Sequence, residues 1–66
     1  MRIKLNDATY EPDEGVTLEK FIAGLGIPLT GIAVAIDYDV VPRDEWRKTI
    51  LRDGMNLIMI NAVSGG

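Results

Sequence analysis

The final residues of the chain, Ser64-Gly65-Gly66, are those whose types and position best fit a chemical role. Glycine lets a backbone enter a narrow slot that any Cβ would block, and a terminal carboxylate is ionised at neutral pH. The Gly66 carboxylate can therefore attack the α-phosphate of a nucleotide held by a partner, which gives an acyl-adenylate. Because three extended residues reach about 10 Å, we expect Ser64 and Gly65 to thread into the partner's active site while the domain stays outside.

The rest of the sequence is poor in groups that catalyse reactions. It contains no histidine and no cysteine, so the usual general base and the strongest nucleophile are both absent. Asp37-Tyr38-Asp39 offers fewer oxygen ligands than a calcium loop, and there is no glycine-rich phosphate motif. We therefore predict that the chain is not an enzyme, has no catalytic residues and holds no metal or cofactor.

Length and composition restrict the class of protein. The 66 residues suffice for one domain, near the lower size limit for independent folding. The absence of cysteine is compatible with a reducing cytosol, and the net charge of −3 disfavours nucleic acid as a partner. No signal peptide is visible, and the longest apolar run, residues 31–36, is too short to span a bilayer. We expect a soluble, cytoplasmic protein with no nucleic-acid or membrane partner.

Four of the seven basic residues lie close together in the sequence, namely Arg43, Arg47, Lys48 and Arg52. A solvated face is the favoured interpretation of such a charge run. The alternative is a basic face that docks a partner or contacts phosphate.

The first half of the chain predicts a hairpin and a helix. Residues 2–5 alternate basic and apolar side chains, Asn6-Asp7 is good turn chemistry, and residues 8–11 can return as a second strand. Thr17 is a candidate N-cap, and Gly26 can end the helix in a left-handed conformation. The helix has one apolar stripe at i, i+3, i+4 and i+7, formed by Leu18, Phe21, Ile22 and Leu25.

The second half predicts strands joined by an irregular crossover. Residues 32–36 form a buried-type strand, and Val40-Val41 a short extended piece that Pro42 ends. Asp44 is a candidate cap for one helical turn, in which Trp46 packs into the core or, alternatively, forms a partner hot spot. Two further strands are predicted, a short one at 49–51 and the last at 56–63.

These elements predict an α+β fold, in which one main helix packs on one face of a mixed sheet of four to five strands. The last strand should lie centrally, parallel to the first. Residues 1–63 would form the domain and residues 64–66 a flexible tail. Diglycine alone is a weak indication, because glycine tails are common, but its position directly after a strand in such a chain strengthens it.

Three motifs give the sequence a resemblance to a known family. Residues 41–46 are similar to a V-P-R-x-x-W segment, residues 15–18 to a G-x-T-L helix start, and Asp53-Gly54 precedes an apolar strand and the terminal diglycine. Along its whole length the chain resembles the ThiS sulfur carriers of thiamine biosynthesis, within the ubiquitin-like β-grasp superfamily. It departs from them at Ser64, where the family often has glycine or alanine.

The resemblance implies a role for the tail and for three partners. An adenylating enzyme related to ubiquitin-activating enzymes would use ATP to convert Gly66 into an acyl-adenylate. A sulfur donor system would then produce a thiocarboxylate, a C-terminal 1-thioglycine, and thiazole synthase would accept the sulfur. One alternative is the small subunit of molybdopterin synthase, which uses the same tail chemistry. Another is a ubiquitin-like modifier or interaction domain without sulfur transfer.

The central strands also indicate a docking surface. Residues 57–60 and 32–36 are apolar on both faces, although one helix covers only one face of a sheet. Either the crossover at 42–52 covers part of the far face, or an exposed apolar patch docks on partners. The resemblance suggests that Leu57 and Met59 point inward and that Ile58 and Ile60 point outward beside the tail.

Overall fold

The computed structural model describes residues 1–27 and 30–61 of the chain. The chain opens with the predicted hairpin, in which β1 (Ile3–Leu5) pairs antiparallel with β2 (Ala8–Tyr10). Both turn residues are left-handed, with φ of 49° at Asn6 and 71° at Asp7. This is the type I′ geometry that matches the twist of the paired strands.

Within the described residues, one α-helix, α1, spans Leu18–Gly24. The Thr17 hydroxyl accepts a hydrogen bond from the Lys20 N–H at 3.2 Å, so the predicted N-cap is confirmed. Gly26, with φ of 78°, takes the predicted left-handed position after the helix. No helix within the described residues is long and apolar enough to cross a membrane.

The second half supplies three more strands and a 3₁₀ helix, with bounds β3 Ile32–Ile36, β4 Asp39–Val41, 3₁₀ helix Arg43–Lys48 and β5 Asn56–Asn61. The prediction that Asp44 caps this helix is wrong. Pro42 precedes the first residue, Arg43, and its carbonyl accepts the first hydrogen bond, from the Glu45 N–H at 2.8 Å. The fixed φ of proline already suits this start, so the helix begins two residues before an Asp44 cap would allow.

The predicted short strand at 49–51 is also absent from the sheet. Ile50 instead makes one isolated antiparallel bridge with Thr17. The neighbouring backbone groups bond to the residues that lead into α1: the Leu18 N–H donates to the Thr49 carbonyl at 2.7 Å and the Leu51 N–H to the Val16 carbonyl at 2.9 Å. This segment is therefore extended, as predicted, but its backbone hydrogen bonds stabilise the start of α1 and do not extend the sheet.

The five strands form one mixed sheet in the order β2-β1-β5-β3-β4. As predicted, β5 is central and parallel to β1, with Leu57 beside Leu5. Its other neighbour, β3, is antiparallel and pairs with it from Ile36 opposite Leu57 to Ile32 opposite Asn61. This sheet and α1 confirm the α+β fold class.

The core lies on one face of this sheet. Trp46 is 1% exposed and belongs to the same buried cluster as Leu18 and Leu57, so its predicted place in the core is confirmed. Its Nε1–H donates to the Val41 carbonyl at 2.9 Å. Because Trp46 and Leu51 both enter this core, the crossover packs beside α1. The alternative in which residues 42–52 cover the far face is wrong.

Candidate functional site: the tail-bearing strand and its outer face

The predicted tail, Ser64-Gly65-Gly66, and the last two predicted strand residues, Ala62 and Val63, lie outside the described residues. The division into domain and tail therefore stays a prediction. The strand that leads to the tail is described up to Asn61. From there, five residues extend the chain by at most about 18 Å, which limits how far Gly66 can lie from the domain.

β5 is held on its β1 side by an additional side-chain contact. β1 ends at Leu5, but the Asn6 amide continues the pairing: its Nδ2 donates to the Met59 carbonyl at 3.1 Å, and its Oδ1 accepts from the Met59 N–H at 2.9 Å. An asparagine side chain carries both a donor and an acceptor, so it can replace one residue of a neighbouring strand. The sequence predicted only a turn role for Asn6, and no local pattern points to a partner 53 residues away.

The side chains of β5 alternate as predicted. Leu57 is fully buried and Met59 packs against the core, whereas Ile60 is 56% exposed. Ile58 is half-buried and lies outside the core cluster. Leu57 and Met59 thus point inward and Ile58 and Ile60 outward, while the docking role of the outward pair stays a prediction.

The outer face of the sheet carries an apolar patch around this pair. Ile58 pairs with Ala35, which in turn pairs with Val40 of β4, and Ile60 pairs with Ala33. Paired residues share a face, so these five side chains form one surface, which we call the outer patch. Val40 is 69% exposed. The sequence did not predict its membership, because that depends on the register of β4 against β3.

The predicted cluster of basic residues lies mainly on the 3₁₀ helix. The Arg43 guanidinium lies 4.9 Å from the centre of the Trp46 ring, and its Nη1 is 3.4 Å from the Glu19 carboxylate. Arg47 and Lys48 lie on the same 3₁₀ helix and are exposed. The predicted basic cluster therefore belongs mainly to an element beside α1, away from the outer patch. Within the described residues no group of three acidic side chains is arranged to hold a metal ion.

The comparisons with known proteins point to one family over almost the whole chain. The model of the ThiS family matches residues 2–66. The sulfur carrier protein ThiS of Escherichia coli (strain K12) is 30% identical over 66 residues, which cover 100% of both chains. The predicted resemblance to this family is therefore confirmed.

Two solved structures share the fold. The crystal structure of the thiamine biosynthesis protein ThiS from Geobacter metallireducens has a TM-score of 0.83 at 19% identity, with 100% of both chains covered. An NMR solution structure of a thiamine biosynthesis protein from the same organism has a TM-score of 0.77 at 19% identity, covering 100% of this chain and 88% of that one. These likenesses support the predicted β-grasp fold. On the family match and the full-length identity, the chain belongs to the ThiS family and is a sulfur carrier protein, not an enzyme.

Proposed function

We propose that this chain carries sulfur as a thiocarboxylate on Gly66 and delivers it for thiazole formation in thiamine biosynthesis. The observation that carries the proposal is the family match, which extends to residue 66 and so includes the terminal Gly65-Gly66. The 30% identity to a sulfur carrier protein over the full length supports the same role.

The chemistry takes place in the partners' active sites. In the adenylating enzyme, a Gly66 carboxylate oxygen attacks the α-phosphate of ATP and pyrophosphate leaves, which activates the acyl carbon. A sulfur donor system then supplies sulfur at the oxidation level of sulfide, which attacks that carbon and displaces AMP. Thiazole synthase then incorporates the sulfur of the resulting thiocarboxylate into the thiazole ring that it builds, and oxygen replaces that sulfur on the acyl carbon of Gly66. The chain contributes the carboxylate and the small residues that let it enter.

The domain positions this tail. β5 is hydrogen-bonded to β3 on one side and to β1 and the Asn6 side chain on the other, so the direction in which the chain leaves the sheet is fixed up to Asn61. The outer patch lies on the same strand, through Ile58 and Ile60. It would dock the adenylating enzyme and then thiazole synthase, in the cytoplasm, with the tail directed into each active site. An exposed apolar surface of this kind is typical of a protein-binding site.

One experiment separates this function from its alternatives. The purified chain is incubated with the thiamine-pathway adenylating enzyme, ATP and a sulfide source, and its intact mass is followed. We expect the mass increase for replacement of one oxygen by sulfur, confined to the C-terminal peptide. Products joined to lysine would instead support a ubiquitin-like modifier. Modification only by the adenylating enzyme of molybdopterin synthesis would place the chain in that pathway.

A further inference from the structure

A shallow depression of about 440 Å³ lies beside the start of β5, and Ile58 of the outer patch is among the residues that line it. Two left-handed turns border it: Asn6-Asp7 on the β1 side and Asp37-Tyr38 on the β3 side. Ile58 lies between them. Small-molecule sites measure roughly 300–1,000 Å³, so this depression has room for one large side chain.

Tyr38 is in an unfavourable position for its type. It has a φ of 73° and its side chain is 80% exposed. Bulky residues rarely adopt this conformation, and turns of this kind prefer asparagine or glycine. Nothing within the described part of the chain compensates by burying the ring. Strained residues often mark sites where the gain comes from a ligand, which points to a partner that covers Tyr38.

Asp7 supplies the charge of the depression. All lysines and arginines of the sequence lie within the described residues, and among those residues the ion pair formed joins Arg43 to Glu19. The Asp7 carboxylate is therefore exposed and unpaired there. Asp37 precedes Tyr38 and is exposed, but it is not among the residues that line the depression. Lys4 pairs with Asn56, which borders this depression, but Lys4 itself lines a different depression near the N-terminus, together with Arg2, Glu11 and Asp53.

We propose that this depression binds one arginine side chain of the docking partner. The carboxylate of Asp7 can accept a pair of guanidinium hydrogen bonds, the Tyr38 ring can stack on the guanidinium plane, and Ile58 can contact the methylene stem. Lysine lacks the planar fork that uses a carboxylate and an aromatic ring together. The proposal rests on the proposed function, because the partner is the adenylating enzyme that docks on the outer patch.

The location makes such an anchor useful. Ile58 belongs both to the depression and to the outer patch, so an arginine bound here would be continuous with the apolar contact. Met59, which Asn6 holds, borders the same depression. A partner arginine at this point would fix the rotation of the domain about β5, and with it the direction of the tail.

The test compares matched variants of the full chain for affinity to the adenylating enzyme. Asp7→Asn removes the charge and keeps a residue that tolerates a left-handed conformation. We expect its Kd to rise about tenfold, the usual effect of losing one charge-assisted contact, with a weaker dependence on salt. Asp13→Asn makes the same charge change in the exposed loop before α1 and should bind like the native chain.

A second variant separates binding from folding. Tyr38→Gly relieves the backbone strain, so we expect a higher melting temperature together with weaker binding, whereas Tyr38→Phe should keep the affinity. Arginine is identified by phenylglyoxal labelling of the enzyme, read by mass spectrometry. One enzyme arginine should be protected by the native chain and labelled in the complex with Asp7→Asn.

Thiocarboxylate formation is measured in the same samples. If the native chain is modified but Asp7→Asn binds normally, or no enzyme arginine is protected, the arginine anchor is wrong and the sulfur-carrier function stands. If the native chain forms no thiocarboxylate, the proposed function fails and the anchor falls with it.

Discussion

Asn6 and Met59 are joined by a pair of hydrogen bonds in which one side-chain amide serves as both donor and acceptor to one backbone unit. The contact lies where β1 ends and β5 continues toward the tail. It therefore couples the turn of the first hairpin to the strand that leads toward the proposed site of modification, Gly66.

Asn6→Gly should measure how much the two hydrogen bonds between Asn6 and Met59 contribute to the stability of the fold. Glycine keeps the left-handed turn, which has a φ of 49° at Asn6, but it removes both hydrogen bonds to Met59. We expect a loss of about 1–3 kcal/mol in the free energy of unfolding, measured with urea, and faster hydrogen exchange at the Met59 amide. Gly15→Ala, at another left-handed position, controls for general backbone strain. An unchanged Met59 exchange rate would contradict the assigned role.

Deleting Gly66, or adding one residue after it, should abolish activation. Either change moves the carboxylate by about 3.3–3.6 Å, out of line with the α-phosphate, and alignment of the reacting groups dominates such a step. Release of pyrophosphate in the presence of the adenylating enzyme is the measurement. The thermal melt should be that of the native chain, and a normal rate from the truncated chain would refute the role of Gly66.

Trp46→Ala should unfold the domain. Trp46 is 1% exposed and belongs to the buried core cluster. Removal of a buried tryptophan costs about 3–5 kcal/mol, which is comparable to the whole stability of a chain this small. Trp46→Phe isolates the hydrogen bond from Nε1 to Val41 and should cost less. Circular dichroism melts of both variants test this, and an unchanged melt for Trp46→Ala would move the side chain out of the core.

Substitutions in β5 should have different effects on the two faces of the sheet: those on the inner face should impair folding, and those on the outer face should impair binding. Leu57→Asp places a charge in the core and should prevent folding. Ile60→Asp changes a side chain that is 56% exposed, so we expect a change below about 0.5 kcal/mol in stability but weaker binding to the adenylating enzyme. Ile58→Asp should also weaken binding, with a larger cost in stability because Ile58 is half-buried. Normal binding by both outer-face variants would refute the docking role of the outer patch.

Local sequence patterns predicted most of the helices and strands. The features that were missed depend on contacts between residues that are distant in the sequence. α1 followed from a cap, a stripe and a terminal glycine, all within ten residues of one another. The role of Asn6 and the membership of Val40 in the outer patch depend on which strands become neighbours and in what register. Residues 49–51 had the composition of a strand, but they hydrogen-bond to Val16 and to Leu18, at the start of α1, instead of joining the sheet. The role of the Gly66 carboxylate was predicted from the chemistry of the last three residues, their position after a strand and the family resemblance, and it stays a prediction.

The two outermost strands of the sheet have a consequence for the behaviour of the protein at high concentration. β2 and β4 each have three residues, and each is followed within two residues by a proline, Pro12 or Pro42. Short edges that end in proline give another chain little backbone to pair with. Short edges of this kind oppose edge-to-edge polymerisation of the sheet. If the outer patch docks on successive partners, as proposed, the chain could expose this apolar surface between binding events without forming aggregates through its sheet edges.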